Sequence, residues 1–343
     1  MGHTNNNLEN ISVLIIGLGS MGKRRIRNLQ HIGVTKITGY DIREDRKNEA
    51  VSKYGINILK EFADVNKEDF SHLIVSTPPD EHVFYAMEGV KRGLHVFIEA
   101  SVLSDGLLEL QDLLNEVKIK NQVALVPSCT MRFDPIINKA KQIIDSGKLG
   151  RVLLANHHFG QYLPNWHPYE RINDFYVSKK ETGGAREIVP FDLVYLTWMF
   201  GKVKNVKAFL KNTQTLGVEI DDIYSLICET DTGTCLNVVI DVVSKVPYRE
   251  TKVIFQNGNM EIDFNKGQLS VYSSDSNSWE YFTKARLSKT TSTEEMYVLE
   301  ITNFIEISFE VVKPTYSIED DHEVLNILYA AEKSFEERQE IKL

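Results

Sequence analysis

The chain has 343 residues, 42% of them hydrophobic and 25% charged, with a formal net charge of −9. That length is too great for one ordinary domain and suits two, with enough apolar material for a sizeable core. The excess of acid excludes nucleic acid as the main partner, because binding a phosphate backbone takes a surplus of lysine and arginine. Local basic pockets for small anions remain compatible with it.

The three cysteines, Cys129, Cys228 and Cys235, are odd in number and lack a metal-ligand spacing. They read as buried free thiols in a reducing compartment, and no metal is expected. No apolar run reaches the length of a transmembrane helix. The opening "MGHTNNNLEN" has no apolar signal core, so residues 1–10 read as a flexible leader. The expectation is a cytoplasmic protein with no membrane partner.

From residue 11 to 127 strand and helix patterns alternate. "SVLII" (12–16), "KITGY" (36–40), "HLIVS" (72–76), "HVFIE" (95–99) and "VALVP" (123–127) are short β-type runs. Helical spacing fills the gaps at 21–32, 43–54, 81–91 and 105–120. Such alternation predicts a doubly wound parallel sheet. One more amphipathic helix, 134–150, follows. From Arg151 strands predominate, at 151–160, 203–210, 223–230, 235–243, 250–256, 259–264 and 269–273, with hairpin turns at "DTGT" (231–234) and "QNGN" (256–259). A helix at 187–200 interrupts them, and helices at 294–311 and 320–337 follow. The fold class is therefore α/β: a Rossmann domain (11–127), then an α/β domain (128–343) with a large, mostly antiparallel sheet. The C-terminal helices are expected to pack back toward the first domain. An antiparallel sheet covered on one face leaves the other for a second copy, which predicts a homodimer or homotetramer.

"GLGSMG" (17–22) follows a strand, opens a helix, and is followed by Asp41 at the end of the next strand. In that context G-x-G-x-x-G predicts a dinucleotide site. Gly17 makes the tight turn, Gly19 lets the pyrophosphate approach, and Gly22 lets the helix sit close to the strand. Ser20 and Met21 open the helix whose N-terminus faces the phosphates. Asp41 would accept from the ribose hydroxyls, which favours NAD. Arg43 close by would tolerate the 2′-phosphate of NADP. "STPPDEH" places Ser76, Thr77, Pro78, Pro79 and His82 beyond the third long strand, where a loop can wall the cofactor. The same residues also suit a plain helix start.

The chain resembles the Gfo/Idh/MocA oxidoreductases. The likeness runs from "VLIIGLGSMGKRRIRNL" through "VSTPPDEHVFYAMEGVKRGLHVFIE" and "MRFDPIINKAKQIIDSGKLGRV" to "DDHEVLNILYAAEKSFE". It implies reversible oxidation of a sugar or inositol hydroxyl with NAD(P). The segment "HHFGQYLPNWHPYERINDFYVSKKETGGA" (157–185) is most similar to the branch acting on sugar nucleotides and amino-sugar precursors. The family has Glu-Lys-Pro where this chain has Glu99-Ala100-Ser101, with the acid near the nicotinamide and the lysine moving the substrate proton. A second family motif supplies a histidine, and an aspartate three residues on, where this chain has Phe191 and Val194. By resemblance, both usual proton-handling groups are replaced.

A positioned base contributes about 10²–10⁴-fold to hydride removal from an alcohol, so the acid/base set is expected elsewhere. The stretch 157–187 offers Tyr176, Lys180 and Glu187 as catalytic candidates, with a lysine cation lowering a phenol pKa. Arg132, Tyr162, Trp166, His167, Tyr169 and Arg186 are candidates for substrate contact. Arg186 beside Glu187 reads as an anion clamp or a structural ion pair, and Arg132 as an anion site or an interdomain salt bridge. Glu99, ending an apolar strand with no acid-pairing neighbour in sequence, reads as a nicotinamide or ribose contact. Two other readings stay open: a redox-neutral sugar-modifying enzyme that uses bound NAD transiently, and a non-catalytic NAD- or sugar-binding sensor or partner subunit.

Overall fold

The computed structural model describes residues 8–65, 69–118, 123–166, 168, 171–174, 176–287 and 294–343. Its first elements are β1 (Ser12–Ile16), α1 (Ser20–His31), β2 (Lys36–Tyr40), α2 (Glu44–Tyr54), β3 (Asn57–Ile58), β4 (His72–Val75), α3 (His82–Lys91), β5 (His95–Ile98), α4 (Leu107–Lys118) and β6 (Leu125–Pro127). Next come α5 (Pro135–Asp145), β7 (Val152–Tyr162), α6 (Ala185–Phe200), β8 (Val203–Lys211), β9 (Ile223–Thr230), β10 (Cys235–Asp241), β11 (Val243–Phe255) and β12 (Gly258–Asp263). The last are β13 (Gln268–Ser273), β14 (Ser278–Thr283), α7 (Lys284–Leu287), α8 (Glu294–Ser308), α9 (Ile318–Glu337) and β15 (Ile341–Lys342).

Two compact units result: Met1–Thr130 with Thr293–His322, and Met131–Ser292 with Glu323–Leu343. This corrects the sequence boundary, which gave everything after residue 127 to the second domain. The reason is α8. Its Ile301, Phe304 and Ile305 belong to the same buried core as Val13, Ile15, Ile26 and Phe97. A helix with that apolar stripe contributes most where it removes the stripe from water, and here it does so against α1.

In the first unit the strand order is β3-β2-β1-β4-β5-β6, and every pairing is parallel. Residues 13–16 of β1 and all of β4 are buried, as expected of strands with helices on both faces. The order reverses between β1 and β4. Their carboxyl ends, beyond Ile16 and Val75, are where a doubly wound sheet opens a crevice.

The second unit holds a sheet of order β14-β13-β12-β11-β7-β10-β9-β8-β15 among the described residues. All pairs are antiparallel except β7 with β10. Helix α6 packs on β9 and β10. Accordingly Tyr224, Leu226 and Cys228 of β9 are buried, while Ile227 and Glu229, pointing the other way, are exposed. Cys235 lies on that open face and is exposed, which corrects the expectation of three buried thiols. Strand β14 escaped the sequence reading because none of its residues is buried, so its side chains show no apolar alternation. Among the described residues no helix is long and apolar enough to cross a membrane.

Candidate active site

The glycine turn of the first unit is tight on one side and open on the other. A Cβ on Gly22 would lie 1.8 Å from the Gly17 carbonyl oxygen, so only glycine lets α1 start this close to β1. A Cβ on Gly19 would meet only the Arg46 guanidinium, at 3.6 Å. No side chain caps α1, so its first amides keep their donors for an anion. Ser20 and Met21 are its first two residues. Asp41, 5% exposed at the end of β2, accepts from the Leu18 amide at 2.7 Å and the Arg43 amide at 2.8 Å. These bonds fix the carboxylate beside the turn.

Beyond β4, two buried polar atoms have no protein partner: Thr77 Oγ1 and His82 Nδ1. The His82 ring donates from Nε2 to the Thr77 carbonyl at 2.9 Å, which leaves Nδ1 as an acceptor. Burial lowers the His82 pKa, so the ring stays neutral. Orphaned buried groups are rare in folded proteins, and here they sit in the loop expected to wall a cofactor. The open Gly19, the uncapped helix and these two atoms fit a dinucleotide. Pro78 and Pro79 begin a 3-10 turn, Pro79–Glu81, that carries the chain into α3. Arg43 does not play the part expected of it. Its guanidinium forms a two-point pair with Asp45, at 3.1 and 2.6 Å.

Glu99 is not a lone acid. The fully buried Arg25 of α1 grips it with Nε at 2.6 Å and Nη2 at 2.7 Å, and Ser76 Oγ donates to it at 3.1 Å. This corrects the reading of an unpaired acid reaching for the nicotinamide, since both carboxylate oxygens are held by protein. Arg25 Nη1 also lies 2.9 Å from Glu300 of α8. Glu300 in turn accepts from Ser128 Oγ, the Cys129 amide and Thr130 Oγ1, at 2.9, 2.7 and 2.8 Å. Burial opposes the Arg25 charge, but the two carboxylates outweigh it and raise its pKa. Burial also raises the Glu300 pKa, partly offset by Arg25. Ala100, in the position of the family's lysine, directly follows this locked acid.

In the second unit the decisive pair is Tyr176 and Glu187. A Cβ on Gly183 would lie 2.1 Å from the Val177 carbonyl oxygen. Glycine there lets the turn before α6 fold tightly onto the backbone next to Tyr176. The phenol then donates to Glu187 Oε1 at 2.7 Å. Glu187 Oε2 is buried and has no partner. Burial pushes the Glu187 carboxyl up to about 7, against the opposing effect of the Tyr176 hydrogen bond. Burial, then Glu187, raises the Tyr176 phenol well above its usual value. The expected Tyr–Lys couple is therefore corrected. Lys180 is exposed and 3.9 Å from Asp221, and the phenol is stabilised as a donor rather than ionised.

The other candidates scatter. Arg186 is buried and bonded to Glu332 of α9 at 2.6 Å. It is the ion pair of the two readings offered for it, though with Glu332 and not with Glu187. Arg132 donates to the Val194 carbonyl at 3.1 and 2.8 Å and faces the Trp198 ring at 5.5 Å. That bond lies within the second unit. Tyr162 carries the Lys245 ammonium 3.1 Å above its ring. Trp166 Nε1 is buried without a partner. His167 and Tyr169 lie outside the described residues.

Sequence reasoning missed Arg249. Its guanidinium lies 4.5 Å from the Phe159 ring centre and 5.5 Å from that of Phe191, the residue in the family's histidine position. It also approaches Asp192 Oδ1 at 3.2 Å. Asp192 Oδ2 is 2.8 Å from His157 Nε2, and His157 Nδ1 is 2.8 Å from Thr251 Oγ1. The cluster joins α6 to β7 and β11 and holds the helix that bears Glu187. No local signal marked Arg249, because its partners come from distant segments.

Comparison with known proteins places these features. Residues 11–127 match a family model described as "Oxidoreductase family, NAD-binding Rossmann fold", and residues 137–270 match "GFO/IDH/MocA C-terminal domain". An oxidoreductase of Bacillus subtilis, YrbE, is 30% identical over 139 residues, 40% of each chain. That match spans well under half of the relative's length. The inositol 2-dehydrogenase of Rhodococcus erythropolis is 22% identical over 268 residues, 76% of this chain and 74% of its own. A solved structure of levoglucosan dehydrogenase in complex with NADH superposes with a TM-score of 0.83 at 15% identity, covering 97% of this chain and 98% of that one. At that identity the likeness speaks for the fold. Two models of one family cover most of the chain in the order the two sheets follow, and the chain belongs to the Gfo/Idh/MocA oxidoreductase family.

Proposed function

We propose that the chain is an NAD-dependent dehydrogenase that reversibly oxidises a hydroxyl of a sugar, a cyclic polyol or a sugar-nucleotide derivative, with Glu187 handling the proton. The observation that carries this reading is a carboxyl poised at about 7, bonded to Tyr176 at 2.7 Å and holding one buried oxygen without a partner. A bound nicotinamide supplies the acceptor for the hydride leaving the carbinol carbon. The hydroxyl proton passes to the Glu187 carboxylate as the C=O bond forms, and the acid returns it in the reverse direction. A pKa near neutrality populates both forms at working pH. Tyr176 holds the carboxyl in place, and the Asp192–Arg249–His157 cluster anchors the helix beneath it.

The sugar class is supported by the inositol and levoglucosan dehydrogenases among the similar proteins. Aromatic faces at Tyr162 and Trp166 suit the C–H faces of a sugar ring. A second copy covering the open sheet face, where Phe209, Ile227 and Ile254 are exposed, would complete a homodimer or homotetramer. The test is NADH formation from NAD across monosaccharides, cyclitols and sugar nucleotides, with wild type and Glu187→Gln. Turnover that collapses in the variant while NADH binding persists supports the reading. Turnover indifferent to Glu187→Gln overturns it.

A further inference from the structure

Arg46, in the first turn of α2, stands beside both landmarks of the dinucleotide site. Its Nη1 lies 3.7 Å from Asp41 Oδ2. The same atom lies 3.6 Å from where a side chain on Gly19 would begin, and apart from Gly19's chain neighbours no other described residue comes within 4 Å of that point. Its side chain is 32% exposed, against 48% for Arg43, whose guanidinium is taken by Asp45. That pairing pulls the Asp45 carboxyl down to about 2.

On a Rossmann turn the second glycine meets the pyrophosphate and the acid after β2 meets the adenosine ribose. A 2′-phosphate on that ribose is repelled by a carboxylate alone. A guanidinium next to the carboxylate offsets its charge and offers a planar fork of donors to a phosphate. We propose that Arg46 is the cofactor-selectivity residue of this chain. Asp41 accepts from the ribose hydroxyls of NADH, and Arg46 lets the same site take NADPH. The proposal rests on the NAD-binding reading above and names the residue that sets its breadth.

The test is a fluorescence titration of the full chain with NADH and, separately, NADPH, for wild type, Arg46→Gln and Arg43→Gln. Circular dichroism confirms that each variant is folded. Arg46→Gln is expected to weaken NADPH binding about 10- to 100-fold, the effect of losing a charge-assisted bond, and NADH binding less than about threefold. Arg43→Gln is expected to leave the ratio of the two affinities within about threefold of wild type. Equal weakening of both cofactors by Arg46→Gln makes Arg46 a pyrophosphate contact and overturns the proposal. So does an unchanged ratio, a ratio that follows Arg43 instead, or a wild type that binds NADH alone. A wild type that binds neither removes the NAD-binding reading as well, which separates the two failures.

Discussion

The hydroxyl of Tyr176 donates to Glu187, eleven residues on, across 2.7 Å, and the direction of that bond is set by burial. Burial raises both groups, the phenol well above its usual value and the carboxyl to about 7. The tyrosine therefore keeps its proton while the glutamate titrates. Glu187→Gln keeps the shape and removes the titration. It is expected to lower kcat by about 10²–10⁴-fold with little change in NADH affinity. Steady-state kinetics beside a binding titration measures both.

Tyr176→Phe acts differently. The Tyr176 hydrogen bond favours the ionised glutamate, so its loss moves the Glu187 pKa further up. The pH profile for alcohol oxidation is expected to shift to higher pH, with activity recovering at alkaline pH. A purely structural tyrosine would lower the rate at every pH and leave the profile in place.

Stability carries the same signature. The folded Glu187 pKa of about 7 exceeds the ordinary value of 4.5, so the native state binds more protons than the unfolded chain between those limits. The glutamate's contribution is complete below about 4.5 and is lost as pH rises through about 7. Urea unfolding is expected to show Glu187→Gln gaining on wild type between pH 5 and pH 8. A constant difference across that range would place the carboxyl in solvent.

His72 gives the opposite slope. It is buried between Ser71 Oγ and Ser308 Oγ, each 2.8 Å away, and burial, with His95 beside it, lowers its pKa to about 3. The unfolded chain takes the proton first, so stability is lost as pH falls from about 6.5 toward 3. His72→Gln is expected to flatten that limb of the curve. Chemical unfolding at pH 4 and pH 7 checks it.

Arg25 compensates two buried carboxylates, Glu99 and Glu300. Arg25→Met leaves them without a cation and is expected to cost about 3–5 kcal/mol of stability, the range for breaking a buried pair from one side. Denaturant melts against Arg25→Lys show how much of this is charge and how much the two-point geometry.

What was legible in the sequence was local. The turn at 17–22 and Asp41 read as a dinucleotide site because strand, glycines, helix and acid follow one another along the chain. The two sheets read correctly because period-two runs between turn residues survive in one dimension. The Arg25–Glu99 pair spans 74 residues, the Arg186–Glu332 pair 146, and α8 returns to the first core from the far end of the chain. Glu187 was visible as a candidate, but its partner was taken to be a lysine. In sequence Lys180 lies nearer to Tyr176 than Glu187 does. Only the fold onto Gly183 shows that the carboxyl lies beside the phenol.

The most direct test of the account is NADH binding by Gly19→Val beside wild type. A side chain at Gly19 enters open space next to Arg46, so the variant is expected to fold with an unchanged thermal midpoint. The account predicts saturable NADH binding by wild type and its loss in Gly19→Val. Binding that survives the valine, or a wild type that does not bind NADH, would contradict it.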